Sequence, residues 1–204
     1  MERRFDKAIG THHKVSVYIM IIINKFIKWL RKLAGIDDRS VLERAIDSGM
    51  KIGADCNIQS GVLLDISHAW LISIGDRVTL APRVHILAHD ASTKNTLGYT
   101  VIRKTTIGNN VFIGAGSIVL PGVKIGNDCI IGAGSIVTHS IPDGMVAAGN
   151  PCHVLCTYED YMQKRKRQLQ EGIKYESDYL ISSITEEKKE RMKQELENSI
   201  GYIV

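Results

Sequence analysis

Aliphatic residues return at every sixth position through the second half of the chain: Ile107, Ile113, Val119, Ile125, Ile131 and Val137, without a miss. A small residue follows most of them (Gly108, Gly114, Gly126, Gly132). Four places after each sits a second aliphatic or small residue: Val111, Ser117, Val123, Cys129, Ser135, Ile141. The same register runs earlier at Ile52, Ile58 and Leu64, and again at Ile74, Leu80 and Ile86. A helix repeats near 3.6 residues and an amphipathic strand near 2. A period of six fits neither. It fits a chain that makes a short strand, turns a corner and starts again, with three strands closing one triangular coil. The aliphatic residues then point inward and stack from coil to coil. Runs such as Gly108-Asn109-Asn110 and Gly126-Asn127-Asp128 supply corners, where positive φ is often needed. One strand-turn unit cannot bury its own face, so several coils must stack. Short strands in a sandwich are the alternative, and six consecutive matches at one spacing argue against it. The pattern predicts a mainly β fold, a parallel β-helix of hexapeptide repeats.

The register breaks twice. Four extra residues intervene between Leu64 and Ile74, within residues 65–73, and a longer excursion covers about residues 89–100. A break in a strict solenoid is a loop leaving the coil, and such loops tend to carry function. The ends differ in kind. Residues 16–33 predict a helix with an apolar stripe of Ile19, Ile22, Ile23, Phe26, Ile27, Leu30 and Leu33, with Lys25, Lys28, Arg31 and Lys32 among and beside it. After Pro151 the glycine corners vanish, and residues 158–169 and 185–198 are charged and favour helix. Thr185 ahead of Glu186 and Glu187 is a candidate N-cap. Three parts follow: an N-terminal helical extension over 1–48, a β-helix domain over 49–156 with a loop protruding at about 87–100, and a C-terminal helical extension over 157–204. The extensions could cap the open ends of the β-helix, which would otherwise offer unpaired strands.

Composition narrows the class. At 44% hydrophobic and 24% charged residues, the 204-residue chain is not expected to be disordered. Aromatic residues make up 6% and there are 18 glycines, which suits an Ile/Val/Ala core with many tight turns. A net charge of +4 is mild and gives no reason to expect a nucleic-acid partner. Cys56, Cys129, Cys152 and Cys156 form no CxxC pair and no zinc spacing, and read as free thiols, mostly buried. The apolar run at residues 15–23 falls short of the roughly 20 residues that span a bilayer. It leads into Asn24, Lys25 and Lys28 with no cleavage pattern, so a cytoplasmic protein is expected.

Several motifs resemble a known family. Residues 74–78 (Ile-Gly-Asp-Arg-Val) and 81–90 (Ala-Pro-Arg-Val-His-Ile-Leu-Ala-His-Asp) look like the hexapeptide-repeat acetyltransferases, in the branch of galactoside, maltose and surface-polysaccharide enzymes. Residues 113–117, 131–138 and the closing run 147–151 (Ala-Ala-Gly-Asn-Pro) match too. The resemblance covers roughly residues 50–156; it is specific for the superfamily and poorly specific for substrate. It implies a left-handed parallel β-helix, an exception to the usual hand of parallel crossovers. It also implies a homotrimer with active sites between subunits, acetyl-CoA as donor, and a sugar or nucleotide-linked sugar as acceptor.

Acetyl transfer from a thioester needs a base for the acceptor's proton, donors for the oxyanion, and both substrates held in line. Histidine is the natural base, because its pKa lies near working pH. Of seven histidines (His12, His13, His68, His85, His89, His139, His153), His89 stands at the second break. The resemblance puts the catalytic base at His89. Asp90, Asp65 or a backbone carbonyl could orient its ring. Asp65 and His68, in the first insertion, are candidate acceptor contacts, and Trp70 reads more as packing than as a wall for a sugar ring. The resemblance sets the pantetheine arm beside Ala115 and Ala133, and the phosphates near Thr138 and His139. The galactoside-type pattern has a lysine where His139 stands and arginines where His153 and Cys156 stand. His153 is kept as a cofactor contact, with Lys124 or residues 164–167 as substitute cations; the last also read as a solvated helix face. Backbone N–H groups near residues 114–117 are the expected oxyanion donors.

His68, His85 and His89 also invite a metal reading, resembling gamma-class carbonic anhydrases. A four-residue step is metal-ligand spacing on a helix, whereas this stretch is coil, so no metal is expected to be required. No GxGxxG, P-loop or nucleophile elbow occurs, which leaves direct transfer in a ternary complex as the simplest mechanism. Two rivals remain: a non-catalytic β-helix that serves as an assembly subunit, and an N-terminal helix resting weakly on a membrane surface.

Overall fold

The computed structural model describes residues 40–204. The helix expected over residues 16–33, and His12 and His13, lie outside the described residues. The fold is a left-handed parallel β-helix. Its first side stacks Lys51–Ile52, Ile72–Ile74, Thr105–Ile107 and Lys124–Ile125. The second stacks Asn57–Ile58, Thr79–Leu80, Phe112–Ile113, Ile130–Ile131 and Met145–Ala148. The third stacks Leu63–Leu64, His85–Ile86, Ile118–Val119 and Ile136–Val137. Four full coils result.

Register shows why the six-residue spacing works. Ile107 pairs with Ile125, Ile113 with Ile131 and Val119 with Val137, each eighteen residues apart, three hexapeptides per turn. Leu80, Ile86, Ile113, Val119, Ile125, Ile131 and Val137 are fully buried. Full burial of one such side chain contributes about 1.5–3 kcal/mol. The second set of spaced residues is internal as well: Val78, Val84, Val111 and Cys129 are buried, and so are the hydroxyls of Ser117 and Ser135, which donate to the Gly132 carbonyl.

Corners recur at fixed phase. Between first and second sides, Asp55, Arg77, Asn110 and Asp128 all take φ of 53–56°. Beside them runs a ladder of side-chain carbonyls. Asp76 accepts from the Ala54 N–H (2.8 Å), Asn109 from Asp76 (2.8 Å), Asn127 from Asn109 (2.9 Å) and Asp143 from Asn127 (3.0 Å). Each coil thus satisfies a backbone donor of its neighbour.

Both register breaks fall at the third-to-first corner. Leu64 pairs with Ile86, twenty-two residues on, and Ile86 with Val119, thirty-three on, so four and fifteen residues are added to the eighteen. The first insertion forms 3-10 turns over Ile66–Leu71. The second is a hairpin: His89–Asp90 pairs antiparallel with Val101–Ile102, with the short helix Lys94–Leu97 at its tip. Its base is pinned by Arg103 N–H to the Ala88 carbonyl (2.9 Å) and by Thr105 Oγ to the Leu87 carbonyl (2.7 Å).

At the far end the strand His153–Thr157 reverses and pairs antiparallel with Met145–Ala148, closing the second side's stack. The helix Tyr158–Glu171 follows, N-capped by Thr157, and its basic residues 164–167 are exposed. Thr185 caps Glu186–Glu195 as expected, accepting from the Lys188 N–H. The parallel pair Ile173–Tyr175 and Gly201–Ile203 was not expected from the charged sequence around it. Among the described residues no helix is long and apolar enough to cross a membrane. All four cysteines are free, Cys129 and Cys152 buried, Cys56 and Cys156 partly so.

Candidate active site

Because both insertions leave at one corner, one coil apart, their first residues stack. Leu64 lies beside Ile86 in register, and the Asp65 N–H donates to the Ile86 carbonyl (3.1 Å). Asp65 therefore leaves the first coil directly below the point where Ala88 and His89 leave the second. Its carboxylate is buried, with the residue 6% exposed. Oδ2 accepts from the Ala88 N–H at 3.0 Å and from His89 Nδ1 at 2.5 Å. Oδ1 accepts from the Ser67 hydroxyl at 2.6 Å. Burial pushes the Asp65 pKa up, but hydrogen bonds from Ser67, His89 and Ala88 outweigh it and hold the carboxyl below its ordinary range. Asp65 is thus an ionised acceptor, and His89 donates through Nδ1–H. That tautomer leaves a lone pair on Nε2.

Of the three groups that could orient His89, the structure selects Asp65. Asp90 is exposed and turned into its own hairpin, where Oδ1 accepts from the Ser92 N–H (2.8 Å), the main cause of its lowered pKa. His68 lies beside the pair. Its ring centroid is 5.0 Å from that of His89 and 5.4 Å from that of Trp70, and its Nδ1 is 3.0 Å from Ser67 Oγ. Asp65, Ser67, His68, Trp70 and His89 thus converge. Trp70 is 58% exposed. The packing role expected of it does not hold, because the 3-10 turn carries its ring on the outer surface beside His68. His85 faces outward from its strand, half-buried; burial lowers its pKa, partly countered by the charge of Asp65.

The short Asp65–His89 contact is a hydrogen bond and not a pair of ligands to one ion. Asp65, His68 and His89 offer ligand atoms within 4.8 Å of one another. However, two ligands each about 2.0–2.1 Å from a tetrahedral ion stand about 3.3 Å apart. Asp65 Oδ2 and His89 Nδ1 are 2.5 Å apart, the distance of a shared proton.

The remaining candidates lie at two corners and on the first side. Ala115 and Ala133 stack at the second-to-third corner, both exposed, with the Gly134 N–H donating to the Ala115 carbonyl (2.8 Å). A Cβ at neighbouring Gly116 or Gly134 would meet no atom within 4 Å, so this edge is open to a ligand that approaches backbone. The N–H groups of Gly114, Gly116 and Ser117 donate to the carbonyls of Ile131, Pro82 and Gly114, because the solenoid ladder and its turns use them. These three are therefore not free to serve as the expected oxyanion donors. Thr138 and His139, hydrogen-bonded to each other at 2.8 Å, sit at the third-to-first corner two coils beyond His89, about 10 Å along the axis. His153 pairs with Ala148, which stacks on Gly132 beside the second-to-third corner of Ala115 and Ala133. Lys124 is exposed on the first side.

Ser67 is the site residue that sequence reasoning missed. The signal was present: both breaks follow the third strand of a coil, which stacks the two insertions and brings the residue two beyond Asp65 towards His89.

Residues 104–139 match the family model described as bacterial transferase hexapeptide (six repeats). The chain is 42% identical over 121 residues to protein CapG of Staphylococcus aureus, covering 57% of this chain and 70% of that protein. It is 40% identical over 117 residues to the galactoside O-acetyltransferase of Escherichia coli, covering 55% of this chain and 57% of that enzyme. A crystal structure of a maltose O-acetyltransferase from Clostridium difficile aligns with a TM-score of 0.47 and 29% identity, over 68% of this chain and 88% of that one.

Proposed function

The chain belongs to the hexapeptide-repeat acetyltransferases, and from that premise we propose that it moves an acetyl group from acetyl-CoA to a hydroxyl or amino group of a sugar, with His89 as general base. The observation that carries this reading is the Asp65–His89 pair. A buried carboxylate holds Nδ1–H, so Nε2 keeps its lone pair. A positioned base of this kind contributes about 10²–10⁴-fold in rate. Acetyl-CoA, when bound, supplies the acetyl group as an activated thioester. His89 takes the acceptor's proton at Nε2, and Asp65 offsets the positive charge that then forms on the ring. His68 and Trp70, beside His89, offer a polar edge and an aromatic face to the acceptor. A sugar acceptor is in keeping with the galactoside-acetylating relative and with that exposed indole.

The donor edge at Ala115 and Ala133 and the base at His89 occupy different corners of the triangle. One side of the triangle, up to about 20 Å for six residues, lies between these corners, and a single copy does not bring them to one point. A homotrimer does, if one chain's second-to-third corner meets its neighbour's third-to-first corner. The outward residues support the choice of face. The third side presents Leu63, His85, Ile118 and Ile136, whereas the first presents Lys51, Ser73, Thr106 and Lys124. Since acetyl-CoA is an intracellular metabolite, the reaction is assigned to the cytoplasm, and acceptors of surface-polysaccharide synthesis are the first to test.

The test is thiol release from acetyl-CoA against free and nucleotide-linked sugars and amino sugars, with His89→Ala alongside. Acceptor-dependent release that is lost in the variant is the expected result. Full activity of His89→Ala with unchanged donor binding would overturn the base assignment. Failure to bind acetyl-CoA with the trimer intact would favour a non-catalytic assembly subunit.

A further inference from the structure

The reaction as derived above gives Ser67 no part, yet its hydroxyl stands where three polar side chains meet. Oγ is 2.6 Å from Asp65 Oδ1, 3.0 Å from His68 Nδ1 and 3.4 Å from His89 Nδ1. A serine hydroxyl has one proton to give and two lone pairs. An ionised carboxylate can only accept, and it is the nearest partner, so the Ser67 proton goes to Asp65 Oδ1. Only lone pairs then remain to face His68. The His68 nitrogen at 3.0 Å must therefore carry a hydrogen, because two lone pairs would repel.

The same bond fixes the other oxygen. Held at Oδ1 by Ser67, the Asp65 carboxylate presents Oδ2 to two donors at once, the Ala88 N–H and His89 Nδ1–H. The 4.0 Å from His68 Nδ1 to Asp65 Oδ1 is too long for a direct hydrogen bond, so the link between His68 and the carboxylate runs through Ser67.

We propose that Ser67 is a positioning residue that sets the tautomer of two histidines: His68 directly, by accepting its Nδ1–H, and His89 through the orientation of Asp65. Both imidazoles then keep their lone pairs on Nε2, in rings 5.0 Å apart and tilted by 42°. One lone pair takes the proton of the reacting group. The other accepts a hydrogen bond from a second hydroxyl of the same acceptor. The catalytic half rests on His89 being the base; the tautomer half does not.

The experiment is long-range 1H–15N NMR on the full chain labelled at histidine nitrogen, at a pH above histidine titration, for wild type, Ser67→Ala and Ser67→Thr. Ser67 is exposed, so neither change threatens the core. In wild type both His68 and His89 are expected as Nδ1–H. In Ser67→Ala, His68 shifts to Nε2–H, and Ser67→Thr restores Nδ1–H. Kinetics are read in parallel: Ser67→Ala raises the acceptor KM roughly tenfold, the scale of one lost hydrogen bond in a charged network, with donor KM unchanged. A His68 tautomer that is the same in wild type and Ser67→Ala overturns the proposal. If instead the tautomers follow Ser67 while His89→Ala stays active, the base assignment fails and the positioning role stands.

Discussion

Replacing Asp65 with Asn removes the charge beside His89 while nearly preserving shape. The carboxylate accepts three hydrogen bonds, from Ser67, His89 and Ala88. An amide has one oxygen. If that oxygen serves Ala88 and His89, the NH₂ donates to Ser67, whose hydroxyl must reverse, and His89 loses the charge beside it but keeps its tautomer. Opposite charges about 4 Å apart at an effective dielectric near 20 attract by about 4 kcal/mol. The His89 side chain is 33% exposed, so screening brings this to roughly 2 kcal/mol, or about thirtyfold in rate. If the amide turns the other way, its NH₂ faces Nδ1, the ring adopts the wrong tautomer, and the base's contribution of about 10²–10⁴-fold is lost. Thiol release should therefore show kcat lowered between about thirtyfold and 10⁴-fold, with acetyl-CoA affinity by calorimetry unchanged. A kcat within about threefold of wild type, while His89→Ala is inactive, would refute the role of Asp65.

Stability offers sharper numbers. Ile113 is fully buried between Leu80 and Ile131 on the second side, so Ile113→Ala should cost about 2–5 kcal/mol, read as a lower urea midpoint. At Gly114 a Cβ would lie within 3 Å of the backbone of Gly132 and Ala133, so Gly114→Ala should destabilise the fold by roughly 1–3 kcal/mol. It should also weaken acetyl-CoA binding by displacing the corner at Ala115 and Ala133. Thermal melts and calorimetry check both. The Asp65 pKa is lowered in the folded state, so its stabilisation is complete above the unfolded carboxyl range, about pH 4, and is lost as pH falls through the folded value. Wild type should therefore lose Tm more steeply than Asp65→Asn below about pH 4, and parallel curves would contradict this.

The solenoid was legible because its spacing is a direct imprint of its geometry. Each six-spaced aliphatic from Ile107 to Val137 points inward, and the two interruptions sit where the chain leaves the coil. His89 was legible for the same reason. What orients it was not, since Asp65, Asp90 and a carbonyl are equivalent to a reader of spacing alone. Only stacking of the insertions distinguishes them. Arg77 and Arg83 adopt φ of 53° and 61° at corners that Asn110 and Gly116 fill in the next coil. There the coil dictates the backbone, and the residue tolerates it at some cost. The exposure of Trp70 was hidden too, because composition favours burying indoles and cannot see a surface 3-10 turn.

The shared exit corner has a meaning for descent as well as for chemistry. Four residues enter at one coil and fifteen at the next, yet the pairings before and after them are undisturbed. The coil ladder does not register how long the chain stays outside. Lineages can therefore lengthen, trim or exchange these two excursions without renegotiating the scaffold. On the proposed function, new acceptor preferences can arise there by insertion and deletion, while the second-to-third corner keeps its small residues for the donor. The tether on such drift is short: any replacement must still return an acid from the lower exit to meet an imidazole from the upper one.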